Sequence, residues 1–132
     1  VLMAYLPEQL SKEEVEKSKK KPIINVPVVI LTNKNTASAS EILTAALKEN
    51  QKATVVGEKT YGKGVIQELL TLSDGSGLKV TIEEYYTPNR NKINGVGIEP
   101  DVVVKLPEND SNSYYIEEKD DTQLQKAIEI LK

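Results

Sequence analysis

The 132-residue chain contains no histidine and no cysteine. That removes every Ser-His and Cys-His nucleophile pair, every disulfide framework and every thiolate metal site. If this chain performs nucleophilic chemistry, a serine must be activated by something other than imidazole, and lysine is the known substitute. Tryptophan and phenylalanine are also missing, so a core must be built from Val, Ile, Leu and Ala with a few tyrosines. There is no basic excess: 17 Lys and Arg stand against 20 Asp and Glu, a net charge of −3, which argues against a general nucleic-acid binder. No apolar run approaches the roughly 20 residues of a transmembrane helix, and no signal peptide is visible. The chain opens on Val1 and its single methionine is Met3, so it reads as part of a longer protein whose targeting signals lie upstream.

What is present suits one domain, since 39% of residues are apolar and a core of real size follows. Three stretches stand out. Residues 1–26 are polar and partly helical: Ser11 and Glu14 form a capping-box pattern before a charged run that Lys19-Lys20-Lys21-Pro22 stops. Residues 27–106 hold the structured centre. Val26–Thr32 is a β-branched run of the kind buried on both faces of a parallel sheet. Ile42, Leu43, Ala46 and Leu47 then recur at helical spacing, and Ala53–Gly57 is a second short buried strand, which together make a βαβ unit. Val65–Leu72 and Leu78–Tyr86 form a hairpin about Ser73-Asp74-Gly75-Ser76-Gly77, and Asp101–Val104 is a further strand. Residues 107–132 are a polar linker followed by an amphipathic helix that Thr122 caps, with Leu124, Ala127, Ile128 and Leu131 on one face.

Two segments carry the chemistry. Ser38, in Thr36-Ala37-Ser38-Ala39-Ser40-Glu41-Ile42, sits where a strand hands over to a helix. Free backbone N–H groups and the positive end of the helix dipole lie there. A serine at that corner can attack a carbonyl while the amide of Ala39 faces the developing oxyanion. Taken alone, Ser38 or Ser40 reads as an N-cap. Lys63, in Thr60-Tyr61-Gly62-Lys63-Gly64, becomes a general base only if burial disfavours its ammonium form. Flanking glycines allow tight packing there; alone it reads as a solvated turn lysine. Strand alternation puts Lys63, Val65 and Gln67 on one side, where a neutral amide can hold the amine without adding a charge that re-protonates it. Alone, Gln67 is a polar residue on a wet face.

Other patterns lead nowhere. Gly57–Lys63 matches the first seven positions of a phosphate-binding loop, but Gly64 stands where Ser or Thr should hold Mg²⁺, and a strand follows where a helix should open. Ser18-Lys19-Lys20-Lys21 has the Ser-x-x-Lys spacing of penicillin-binding enzymes inside a solvated charge run. The carboxylate pairs Glu83-Glu84 and Asp120-Asp121 are adjacent in sequence and have no metal-ligand spacing.

With the two segments in view, a resemblance emerges. The Ser38 block and Val55–Gln67 look like the C-terminal processing peptidases, or tail-specific proteases, in which serine and lysine share this spacing and a glutamine follows the lysine by four. Asn94–Asp101 is similar to the family's segment near the end of its protease core, and Asp121–Ala127 resembles its terminal helix. The resemblance implies an α/β fold of the ClpP/crotonase-like type, with a βαβ unit, a β-hairpin and a C-terminal helix. It implies a serine endopeptidase with Ser38 as nucleophile, Lys63 as general base, Gln67 orienting Lys63, Ala39 as an oxyanion donor and Glu41 in support. No cofactor or metal is implied. The implied partners are protein substrates with exposed C-termini and a second copy in a homodimer, with no nucleic acid, and the implied location is extracytoplasmic, in the bacterial cell envelope or periplasm. The family's PDZ domain and the glycine pair that gives its second oxyanion donor have no counterpart in this chain, so these residues alone are expected to be weakly active or inactive. Two alternatives stay open: a non-catalytic interaction module of the same fold, and a crotonase-like enzyme acting on an acyl thioester.

Overall fold

The computed structural model describes residues 2–5, 14–21, 25–107 and 116–132. In chain order the elements are β1 (Leu2–Tyr5), β2 (Glu14–Glu16), β3 (Val29–Thr32), α1 (Ala39–Glu49), β4 (Thr54–Gly57), β5 (Val65–Thr71), β6 (Gly77–Tyr86), β7 (Val102–Val103) and α2 (Thr122–Leu131). They form an α/β fold with two sheets. One is parallel, in the order β3-β4-β7; the other is antiparallel, in the order β2-β1-β6-β5.

The β3–α1–β4 unit follows from its residues. Val55 and Val56 are fully buried, as β-branched side chains on a pleated surface should be. Between the strands, α1 is rich in Ala, Leu, Glu and Lys, all strong helix formers. It ends at Asn50, followed by Gln51 in the left-handed region at φ 56°, where a helix commonly stops. Against α1 lies the small core of Ala45, Tyr85, Ile93 and Ile98, with Ile42 packed on it. The amphipathic α2 packs against β3 and β4, and buried Gln123 donates to the Val104 carbonyl.

Several expectations need correction. The first parallel strand is shorter than Val26–Thr32: Val26 lies outside it, and Leu31, within it, is 38% exposed, so β3 is not covered on both faces. The helix expected to run from Ser11 toward Lys21 is not formed at Glu14–Glu16, which pair with β1; residues 11–13 lie outside the described residues. The cap of α2 is Asp121, whose carboxylate accepts from Leu124 N–H at 2.9 Å, and Thr122 is its first helical residue. Asp is the better N-cap of the two.

Candidate active site

Ser38 closes the loop after β3 and stands at the N-terminus of α1. Its backbone has φ 58° and ψ −122°, a region that strains any residue with a Cβ by about 1–3 kcal/mol. A strained serine at a strand-to-helix corner is how α/β-hydrolase folds expose a nucleophile.

Glu41 holds this conformation in place. The residue is fully buried, and its carboxylate collects four donors. One oxygen, Oε2, accepts Ser38 N–H at 2.9 Å and Lys63 N–H at 2.8 Å. The other, Oε1, accepts the Thr60 hydroxyl at 2.5 Å and Gly62 N–H at 2.7 Å. Two segments far apart in sequence are thereby tied to one side chain. Because they share a single oxygen, the Ser38 and Lys63 nitrogens lie within about 6 Å of each other. The amides of Gly62 and Lys63, which a phosphate-binding loop would turn toward a nucleotide, here enclose an internal carboxylate.

Asn94–Ile98 clasps the same loop from the other side. Gly95 N–H donates to the Gly62 carbonyl, Ile98 N–H to Thr60 Oγ1 at 2.7 Å, and Thr60 N–H to the Ile98 carbonyl. The approach is close enough to need glycine. Gly62 adopts φ +89°, and a Cβ there would sit 2.9 Å from Gly97 N.

Lys63 is placed by its backbone, while its side chain is exposed. The burial expected of a lysine base is therefore not seen in this conformation. Gln67 is exposed and its amide donates to Thr81 Oγ1 at 3.3 Å. The sheet register shifts between Ile66 and Gln67: Ile66 pairs with Glu83, and Gln67 with Thr81. The extra residue, Ile82, lies on β6 and breaks the alternation there. β5 itself is uninterrupted, so Val65 and Gln67 lie on one face of it, with Gln67 beside Thr81. Ala39 is exposed at the first helical position, and its N–H donates to none of the described residues, as an oxyanion donor requires.

Two residues were not picked out from the sequence. Thr60 is 5% exposed and bridges Glu41 to Ile98. Tyr85 is 2% exposed, and its hydroxyl donates to the Lys63 carbonyl. Burial pushes this phenol above its ordinary value; the Ser38 hydroxyl partly offsets the shift and the Glu41 charge adds to it. The spacing Ser38-x-x-Glu41 is a capping-box signature and could have drawn attention to Glu41 as a local partner of Ser38.

A family model, peptidase family S41, matches residues 3–104. The chain belongs to peptidase family S41. The matched span contains Ser38, Glu41, Thr60, Lys63, Gln67 and Tyr85. Among S41 relatives, carboxyl-terminal-processing peptidase 1 (chloroplastic) of Arabidopsis thaliana is 58% identical over 84 residues, covering 64% of this chain and 17% of the relative. The carboxyl-terminal-processing protease of Picosynechococcus is 46% identical over 110 residues, covering 83% of this chain and 26% of the relative. The solved structure of a photosystem II D1 C-terminal processing protease is 49% identical, with a TM-score of 0.58 over 61% of this chain and 22% of that one. The chain therefore spans about a fifth of the length of these S41 proteins.

Proposed function

We propose that the chain supplies the nucleophile and the base of a serine endopeptidase that processes proteins at or near their C-termini. The observation that carries this reading is the shared Glu41 oxygen, which pins Ser38 and Lys63 side by side in a family of peptidases. Ser38 Oγ attacks the scissile carbonyl carbon as its proton passes to the neutral amine of Lys63, and Ala39 N–H takes the oxyanion. Lys63 then gives that proton to the leaving nitrogen, and the C–N bond breaks to leave an acyl-enzyme. Water attacks the ester as Lys63 takes its proton; the proton returns to Ser38 Oγ and the acid is released. For this the Lys63 side chain must turn inward and be covered, with Gln67 as the amide that orients it. The substrate class follows from the carboxyl-terminal processing named for the relatives, and an extracytoplasmic or lumenal compartment is the matching location.

Against the two alternatives, the strained φ at Ser38 is a cost that a scaffold has no use for, and the loop amides an acyl nucleotide would need are already occupied by Glu41. The test is cleavage of an unfolded protein with an apolar C-terminus by the full-length gene product, wild type against Lys63→Ala. Loss of cleavage by about 100-fold or more, with an unchanged circular dichroism spectrum, is expected for a missing general base. A mutant that cleaves as fast as wild type makes Lys63 a turn lysine and ends this mechanism.

A further inference from the structure

Four donors meet on the Glu41 carboxylate, and three of them are main-chain N–H groups whose place is set by the path of the chain. The fourth belongs to a side chain, the Thr60 hydroxyl, 2.5 Å from Oε1, the length of a charge-assisted O–H···O⁻ bond. Thr60 is 5% exposed. Its hydroxyl oxygen also accepts Ile98 N–H at 2.7 Å, and its own N–H donates to the Ile98 carbonyl at 3.1 Å. We infer that Thr60 is a positioning residue for the Ser38–Lys63 pair: its hydroxyl fixes the turn of the Glu41 carboxylate about its last bond, and so the point at which that carboxylate holds the Ser38 and Lys63 amides. The inference rests on the reading of Ser38 as nucleophile and Lys63 as base.

The donor and acceptor count makes the link directional. An amide N–H cannot accept, so Ile98 N–H donates to Thr60 Oγ1, and the hydroxyl proton is left for the carboxylate, which only accepts. With Gly62 N–H at 2.7 Å on the same oxygen, two donors fix Oε1 and leave Oε2 to Ser38 N–H and Lys63 N–H. Without the hydroxyl, Oε1 keeps one donor. The carboxylate can then swing on its terminal torsion, which is broad, and carry Oε2 away from the two amides. Thr60 is itself held from two directions. A Cβ at Gly97 would stand 2.4 Å from the Thr60 carbonyl oxygen, so the loop lies hard against it. The next residue, Tyr61, donates its N–H to the Thr36 carbonyl at 2.9 Å, just before Ser38. Buried as it is, Thr60 offers substrate almost no surface and acts through Glu41.

The test is Thr60→Val in the full-length gene product, which keeps the branched shape and removes the hydroxyl, beside Thr60→Ser, which keeps the hydroxyl. Expected for the first are a fall in kcat of about tenfold or more with KM unchanged, and a matching fall in the rate at which a fluorophosphonate labels Ser38, counted per folded molecule. Thr60→Ser should restore both to within about threefold of wild type. A wild-type kcat in folded Thr60→Val overturns the inference, since a purely structural threonine would lower the melting temperature and leave both rates alone. A Thr60→Ser variant as slow as Thr60→Val also overturns it, because the methyl group would then be the cause, and so does a loss confined to KM. Should Thr60→Val not fold, Thr60→Cys puts a weak donor in place of the hydroxyl; a kcat lower by about threefold or more at unchanged KM is expected, and a full kcat overturns the inference. If wild type itself does not label at Ser38, it is the nucleophile reading that fails, and this inference with it.

Discussion

Replacing Glu41 by Gln is the sharpest perturbation the structure offers, because it changes one atom and leaves shape and volume nearly intact. The carboxylate satisfies four donors with two oxygens. An amide offers one oxygen and one NH₂. If the NH₂ took the Oε2 place, it would face Ser38 N–H and Lys63 N–H, two donors that cannot reverse. In the Oε1 place it faces Gly62 N–H, which cannot reverse, and the Thr60 hydroxyl, which can accept as well as donate. The second orientation is preferred. It leaves one buried N–H unpaired, at about 1–3 kcal/mol, and weakens the bonds to Ser38 and Lys63 from charge-assisted to neutral strength, roughly another 1 kcal/mol or more together. The sum is about 3 kcal/mol. If Glu41 were only the partner in a helix cap, the loss would be about 1 kcal/mol.

The two readings separate in local amide exchange. An opening free energy lower by about 3 kcal/mol speeds exchange by about two powers of ten, against roughly fivefold for the cap alone. The assay is hydrogen–deuterium exchange by mass spectrometry on peptides spanning 36–42 and 60–66 in the full-length gene product. Gly62 and Lys63 should lose protection together with Ser38, and protease activity should fall with them. If exchange in 60–66 matches wild type within fivefold, Glu41 does not hold the two segments together and the account of the site given above is wrong.

Two further outcomes follow from particular contacts. Gly64→Ala would place a Cβ 2.4 Å from Asn94 N, a backbone atom that cannot swing away, so it should cost about 2 kcal/mol or more in denaturant unfolding; a loss below about 0.5 kcal/mol would mean the Asn94 loop yields freely. At the β5–β6 turn the Ser76 hydroxyl, and then the Ser76 N–H, hold the Asp74 carboxyl below its ordinary value. A folded value below the unfolded one means that the turn contact is fully present above the unfolded aspartate pKa and is lost as pH falls through the folded one. An NMR titration should show Asp74 protonating below the usual aspartate value and Ser76→Ala moving it back; an ordinary midpoint in wild type contradicts the contact.

The βαβ unit was legible because its signals are local: β-branched runs at Val29–Thr32 and Thr54–Gly57 bracket a helix with apolar residues at helical spacing. The β5–β6 hairpin was legible for the same reason, with Asp74 and Gly75 marking its turn. What lay beyond reach was set by partners distant in sequence. Glu14–Glu16 are extended because β1 lies beside them and β6 beside β1, which no local pattern of charged residues reports. The bulge that Ile82 makes in β6, opposite Ile66 and Gln67, has no local mark in the sequence either. Ser38, Lys63 and Gln67 could be named from spacing and Glu41 as a residue in support, but not that Glu41 brings the first two together, because its contact with Ser38 is local while its contacts with Thr60, Gly62 and Lys63 reach across about 20 residues.

That division has a physical sense. The reacting atoms need only two side chains, and a sequence can display those. Holding a strained serine at φ 58° requires the surrounding structure to over-determine it, and here that is done by a buried carboxylate saturated with donors, by Thr60 hung between Glu41 and Ile98, and by the Tyr85 hydroxyl donating to the Lys63 carbonyl. Each of these supports is buried, while the Lys63 side chain remains exposed and Ser38 only half-buried. The frame of the site is thus buried, and Lys63, the proposed base, is exposed. On the proposed mechanism, a site arranged this way keeps Ser38 aligned at rest, and activation waits on whatever covers Lys63. A substrate chain crossing the mouth of the site would do both at once, excluding water from the amine and presenting the carbonyl to Ser38.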